Sequence, residues 1–324
     1  MSKTKEKKLN SPSHTLILTL IALIAFAGNS VLCRLALTEQ LIDASSFSYL
    51  RLFSGSITLL ILVMFSQQAK LSVDNIKSST GKSAPKLISI KSHSLVTNIN
   101  KLQFFSALCL FTYCITFSFA YITLETGTGA LVLFGAVQLT MFTYSLFKGE
   151  QINHFQILGI LIAFSGLLLL VFPALTTPEL TGFMLMFIAG IAWAFYTLAG
   201  KKTINALKAT QINFLLTLPI IIIVLGYQLT IHEHIFNNIS WHLSFKGVLL
   251  ALSSGVLTSA IGYFIWFKAV KGLTTIQSGA VQLSVPLLAA FGGIVFSDET
   301  LNLTFVLSSI LILSGLFLVL KTKQ

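Results

Sequence analysis

The 324-residue chain holds its chemistry-bearing side chains inside apolar stretches, and Arg51 is the first to need a reason. It lies about two turns inside the run Ala44 to Ser66, where a charge costs about 3 kcal/mol on insertion scales unless it is paired or faces water. Two uses would hold it there: an anion or carboxylate contact to a solute, or a structural tie to carbonyls at a neighbouring helix end. Arg34 is closer to the end of its own run, and snorkelling alone explains it. Around these cations the sequence supplies uncharged donors, acceptors and ring faces in Asn29, Ser30, Gln138, Thr140, Thr143, Tyr144, Trp193, Tyr196, Tyr263, Trp266, Gln282 and Ser284. Such a mixture suits a neutral or zwitterionic organic solute, because buried amides and hydroxyls replace its hydration while rings cover its apolar part. Each of these residues also has a structural use, as an interhelical hydrogen bond or an interfacial anchor. Substrate contacts are expected from Asn29, Ser30, Arg51, Gln138, Trp193, Tyr196, Tyr263, Trp266 and Gln282.

Catalytic chemistry finds little support. None of the ten acidic residues falls near the middle of an apolar run; Glu125, Glu150 and Glu299 all lie at run ends. Carriers driven by protons use intramembrane Asp, Glu or His chains, so no carboxylate relay is expected, and Glu150 and Glu299 read as helix-end surface charges. His232-Glu233-His234 with His242 could ligate a metal, but the spacing is not that of a helical two-histidine site. Gly127-Thr128-Gly129 opens an apolar run rather than following a strand, which argues against a dinucleotide fingerprint. No nucleophile elbow or P-loop is present. Cys33, Cys109 and Cys114 sit inside apolar runs with no ligand spacing. No catalytic residue, metal or cofactor is expected.

The elements that must position these residues are set by composition. Of the chain, 55% is apolar and 10% charged, with a mean hydropathy of +0.87. Soluble domains carry about 25% charge, so most of this surface faces hydrocarbon. A spanning helix needs about 20 mostly apolar residues. Ten stretches qualify: Leu16 to Leu37, Ala44 to Ser66, Leu102 to Ile122, Gly127 to Phe147, Asn153 to Pro173, Leu180 to Gly200, Gln211 to Ile231, Gly247 to Phe267, Ile276 to Phe296 and Asn302 to Leu320. Residues 1–15 form a polar tail with four lysines; the apolar run after it is too long for a signal-peptide core and is expected to remain as the first span.

Cytoplasmic loops are enriched in Lys and Arg. With the N-terminus inside, 18 of the 21 basic residues fall on the cytoplasmic side, and Arg34, Arg51 and Lys246 are left over. Both termini are then cytoplasmic, residues 321–324 being the second tail. The net charge of +11 is scattered over loops rather than gathered on one face, which excludes nucleic acid as a partner. Residues 67–101, rich in Ser, Lys and Asn, read as a mobile cytoplasmic loop.

A shift of 149 residues superposes Ala120 to Val171 on Ala269 to Leu320 without a gap, with 14 identities in 52 positions. Thr126 falls on Thr275, Glu150 on Glu299, Asn153 on Asn302, and Ser165-Gly166 on Ser314-Gly315. The shared string Gly-Ala-Val-Gln-Leu at 135–139 and 279–283 offers a rival register that displaces the glutamates. In the longer register the unit is five spans, an odd number, so the copies at 16–173 and 174–320 enter the membrane from opposite sides. Inverted repeats place a site near the midplane at their interface, and exchanging the two halves' conformations exchanges inward and outward access. The expected fold is all-α and integral to the membrane: ten transmembrane helices as two inverted five-helix repeats around a central cavity.

With these features the sequence resembles the drug/metabolite transporter superfamily, specifically its EamA-like ten-helix members. The resemblance is carried by Ala27-Gly28-Asn29-Ser30, Tyr49-Leu50-Arg51, Ala192-Trp193-Ala194-Phe195-Tyr196, Pro286, Gly149-Glu150 and Asp298-Glu299. It implies a bacterial inner-membrane protein that exports amino acids, other metabolites or drugs. Ala27-Gly28 stands where the family often has Trp-Gly, and Val137 where a proline often breaks the fourth span, so no relative's substrate is carried over. The expected function is transport of a small organic metabolite, amino-acid-like or drug-like, outward and by alternating access. A nucleotide-sugar-type carrier would want more cations facing the cavity, and a membrane-embedded lipid-modifying enzyme would need a catalytic pair; both are weaker readings.

Overall fold

The computed structural model describes residues 12–79, 100–150, 153–174, 180–232, 242–300 and 302–321. The helices are α1 (Pro12–Thr38), α2 (Ala44–Ser79), α3 (Lys101–Ala120), α4 (Thr126–Phe147), α5 (His154–Ala174), α6 (Leu180–Lys201), α7 (Ala206–His232), α8 (Phe245–Gly272), α9 (Thr275–Ser297) and α10 (Leu303–Lys321). Eight of them are long and apolar enough to cross a membrane, and α5 and α10 are apolar too over His154–Gly166 and Leu303–Val319. Large apolar side chains such as Ile24, Phe65, Phe155, Phe291 and Phe317 are exposed. On a soluble protein such an outer surface would be a liability; facing lipid it is required.

Three departures from regular helix matter. The second helix continues past Ser66 to Ser79, so the first part of the expected loop at 67–101 is helical, and residues 80–99 lie outside those described. Within α8, residues Ser254–Ile261 form a π-helical segment, a widening common at functional sites. Helix α9 breaks after Gln282 and resumes at Val285 with Pro286 in its first turn, where the missing N–H has no helical partner to lose.

Helices α4 and α9 run side by side in opposite directions and clasp each other at both ends. At the end of α9, Asp298 adopts a left-handed conformation (φ 51°), and Glu299 then turns onto the start of α4. Its carboxylate accepts hydrogen bonds from the Thr126 N–H (3.0 Å) and Thr126 Oγ1 (2.8 Å). At the end of α4, Gly149 is left-handed (φ 69°), and the Glu150 carboxylate accepts from Thr275 Oγ1 at the start of α9 (2.9 Å) and from Ser145 Oγ (2.9 Å). These glutamates are half-buried helix caps rather than the surface charges expected of them. A negative group at a helix N-terminus meets the unpaired N–H groups and the positive dipole end.

Helices α5 and α10 form a second close pair. A Cβ on Gly166 would stand 2.8 Å from the Ser308 carbonyl oxygen, and one on Gly159 2.5 Å from that of Gly315. Backbones approach this closely only where glycine leaves room, as in membrane helix pairs rich in small residues. On the side of the α1–α2 turn, Ile42 and Leu243 form an antiparallel bridge, and Lys246 pairs with Glu39.

Candidate functional site

Helices α1, α2, α3, α6 and α8 bring polar side chains together in the interior. Asn29, on α1, donates from Nδ2 to the Tyr113 hydroxyl (3.1 Å), while its Oδ1 accepts from Ser254 Oγ (2.6 Å) and Thr258 Oγ1 (3.3 Å). Arg51, on α2, is fully buried. Its Nε donates to Ser259 Oγ (2.7 Å), and its Nη2 donates to the hydroxyls of Tyr113 (3.2 Å) and Tyr263. The two hydroxyls are themselves hydrogen-bonded at 3.2 Å. Nη1 of Arg51 has no partner, and no acidic side chain pairs with this guanidinium among the described residues.

The guanidinium is also covered by rings. Its carbon lies 5.2 Å from the ring centres of Tyr113 and Phe117, within the range of cation–π attraction. Beyond Tyr113 the rings continue: Trp193 lies 4.9 Å from Tyr113, 4.6 Å from Tyr263 and 5.1 Å from Phe26, and Tyr196 lies 5.4 Å from Trp193. Trp193 donates its Nε1–H to Gln282 Oε1 (2.6 Å), beside the break in α9, and Gln282 returns its Nε2 to the Ser278 carbonyl (2.6 Å). Trp266 donates to Thr197 Oγ1 (3.1 Å) and turns its ring edge to Phe26 (5.5 Å).

Helix α8 comes closest to α2 within the π-helical turn. Gly255 lies within it, and a Cβ there would meet the backbone of Arg51 and the side chain of Ser54. The same segment aims Ser254 and Thr258, as donors, at Asn29 Oδ1 and Ser259, as acceptor, at the Arg51 Nε, so the widened turn holds both side chains.

Asn29, Arg51, Trp193, Tyr196, Tyr263 and Gln282 thus belong to one continuous cluster, with Trp266 at its edge. Ser30 and Gln138 do not join its hydrogen bonds. Ser30 is buried one position along from Asn29, on a different face of α1. Gln138 packs against Gly279 and borders a small apolar crevice with Ile160, Phe164 and Ile312; its Oε1 has no partner among the described residues. Tyr113, Ser254, Thr258 and Ser259 were not singled out by sequence, because hydroxyl residues are common in apolar helices and only the partner reveals their use.

Arg34 is where a tie to helix-end carbonyls occurs. Its Nη1 donates to the carbonyls of Tyr121 (2.9 Å) and Ile122 (3.2 Å), and its Nε reaches Glu299 (3.4 Å). It is therefore held by protein groups rather than snorkelling, and it is neutralised by Glu299.

A cavity of about 380 Å³ opens between the Lys101 end of α3, the Lys201 end of α6 and the start of α7, lined by Asn100, Gln103, Lys202 and Lys208 among others. Its inner wall includes Ser106 and Asn213, which are buried and hydrogen-bonded to each other (2.9 Å). Ser106 stands seven residues before Tyr113 on the same helix, so this wall is about two turns from the cluster. Of the histidine group, Glu233 and His234 lie outside the described residues, and among those described no three potential ligands gather for a metal.

The chain matches known proteins by family model, by sequence and by fold. The model of the EamA-like transporter family matches residues 180–321. Protein PA1977 of Pseudomonas aeruginosa is 38% identical over 310 residues, covering 96% of each chain. A protein of Bacillus subtilis named "Uncharacterized transporter YoaV" is 22% identical, covering 84% of this chain and 85% of its own. A protein of Escherichia coli named "Probable amino-acid metabolite efflux pump" is 26% identical over 64% of this chain and 75% of its own. A solved chain described only as the crystal structure of a protein superposes with a TM-score of 0.63 at 15% identity, over 95% of this chain and 98% of that one, which shows the fold alone. The chain is a multi-pass membrane transporter, and it belongs to the EamA-like transporter family.

Proposed function

We propose that this transporter exports a small organic metabolite, amino-acid-like or drug-like, across the bacterial inner membrane by alternating access between two inverted five-helix halves, with both termini cytoplasmic. One observation carries the reading. The buried guanidinium of Arg51 is held by Tyr113 from residues 16–173 and by Ser259 and Tyr263 from residues 174–320, so the polar cluster straddles the two halves. A site shared in this way is remade whenever the halves move relative to each other.

The clasps of α4 and α9 support the inverted arrangement. The pair Glu150–Thr275 becomes Glu299–Thr126 under the 149-residue shift with the halves exchanged, and Gly166–Ser308 becomes Gly315–Gly159 in the same way. The cavity beside Lys202 and Lys208 is on the side assigned to the cytoplasm and leads toward the cluster. Relatives in Escherichia coli and Salmonella typhimurium are named probable amino-acid metabolite efflux pumps, which supports the outward direction proposed here. Proteoliposomes loaded with amino acids and drug-like solutes test the proposal: the protein is expected to accelerate release of at least one class, and folded protein that moves none of them contradicts it.

A further inference from the structure

We infer that the cluster around Arg51 binds the carboxylate of a solute whose apolar part is a ring or a compact hydrocarbon, and that the carboxylate rather than any amino group is the recognised feature. This rests on the transport reading above and narrows it to a substrate class.

Protons and acceptors around Arg51 do not balance. Arg51 offers five N–H groups. Ser259 takes the one on Nε, and Tyr113 and Tyr263 take the two on Nη2. The two on Nη1 have no acceptor among the described residues although the residue is fully buried. The Tyr113 oxygen already accepts from Asn29 and Arg51 and is bonded to the Tyr263 hydroxyl, which also accepts from Arg51. Whichever way the proton between the two tyrosines is drawn, one phenol O–H remains for which these bonds provide no acceptor. The cluster therefore carries one positive charge and more donors than acceptors, with Trp193 packed on the rings of both tyrosines.

Buried donors without acceptors are costly, more so on a charged group. Arg34 shows what a structural arginine looks like in this protein, with two carbonyls and a carboxylate around it. Arg51 has neither. A carboxylate supplies one compensating charge and lone pairs for both the Nη1 protons and the phenol proton. A phosphate dianion would bring a second charge that no neighbouring cation balances, since Arg34 is committed to Glu299. No acid side chain pairs with the cluster to receive an ammonium among the described residues, so an amino group adds repulsion from Arg51 rather than a contact. The ring faces of Trp193, Tyr196 and Phe26 provide the apolar wall. In this structure those rings touch one another, so the solute binds as they part.

The test uses the full chain in proteoliposomes with four probes that share one ring: 3-phenylpropionate, phenylalanine, phenylalaninamide and 2-phenylethylamine. Release of the two carboxylates is expected to be at least tenfold faster than release of the amide and amine, and the two carboxylates alone are expected to change tryptophan fluorescence. R51K is expected to keep part of this preference and R51Q to bring the ratio close to one. Should R51Q fail to fold, the probe series on the wild type and R51K still decides. Equal handling of the amine or amide overturns the inference while leaving transport standing, as does transport confined to solutes without a carboxylate. If no solute of any class moves, it is the transport reading that fails.

Discussion

Glu299 caps the first turn of α4 by accepting from both the N–H and the hydroxyl of Thr126. Glu150 does the corresponding work for Thr275 of α9, through the hydroxyl alone among the bonds to that threonine. Two antiparallel helices that each end on the other's beginning are fixed in register along their length.

The clasps differ in strength. Glu299 holds a backbone N–H, a hydroxyl and Arg34, whereas Glu150 holds two hydroxyls. E299Q is therefore expected to destabilise the protein by about 1–2 kcal/mol, in the range of a lost charged cap. E150Q is expected to cost less. Thermal melts of the two variants in one detergent check the order, and an E150Q melt lower than that of E299Q contradicts it.

The bond between Trp193 and Gln282 ties α6 to the break in α9. W193F leaves the buried Gln282 oxygen without its donor, at a cost of about 1–3 kcal/mol. Q282L in the W193F background is expected to recover part of that loss, because both polar partners are then gone. A double-mutant cycle by chemical denaturation measures the coupling; additive losses would show that the bond contributes nothing of its own.

Gly255 is expected to be intolerant of even one methyl group. Its Cβ would meet the Arg51 backbone, which cannot turn aside as a flexible side chain would. G255A should cost about 1–3 kcal/mol through overpacking and slow transport as well, whereas G226A, with open space around it, should be silent. Melting temperature and solute release measured together separate the two positions.

Arg51 was legible in the sequence because a cation deep in an apolar run needs a partner, and Trp193 and Gln282 because their polar atoms would otherwise be wasted in hydrocarbon. The use of Arg34 was not legible: Glu299 is 265 residues away, and only folding brings it near. Tyr113 was overlooked for a related reason, since a tyrosine in an apolar helix announces neither its face nor its neighbours. Gln138 and Gln282 stand in the same short string, Gly-Ala-Val-Gln-Leu, yet packing puts one against a glycine and the other on an indole N–H, a difference no local sequence announces. The helices themselves were readable from hydropathy, but the π-helical turn was not, because it follows from α8 closing on α2 at Gly255 rather than from local preference. The second helix outran its apolar stretch because helical hydrogen bonds do not stop where hydrophobicity does.

The two ends of the α4–α9 pair should face opposite compartments, and single cysteines test this most directly. Lys148 and Asp298 are exposed and adjoin the two clasps. With Cys33, Cys109 and Cys114 replaced, K148C and D298C are labelled with a membrane-impermeant thiol reagent in intact cells and in inside-out vesicles. K148C is expected to react only in the inside-out vesicles and D298C only in intact cells; labelling of both from the same side would contradict two oppositely inserted halves.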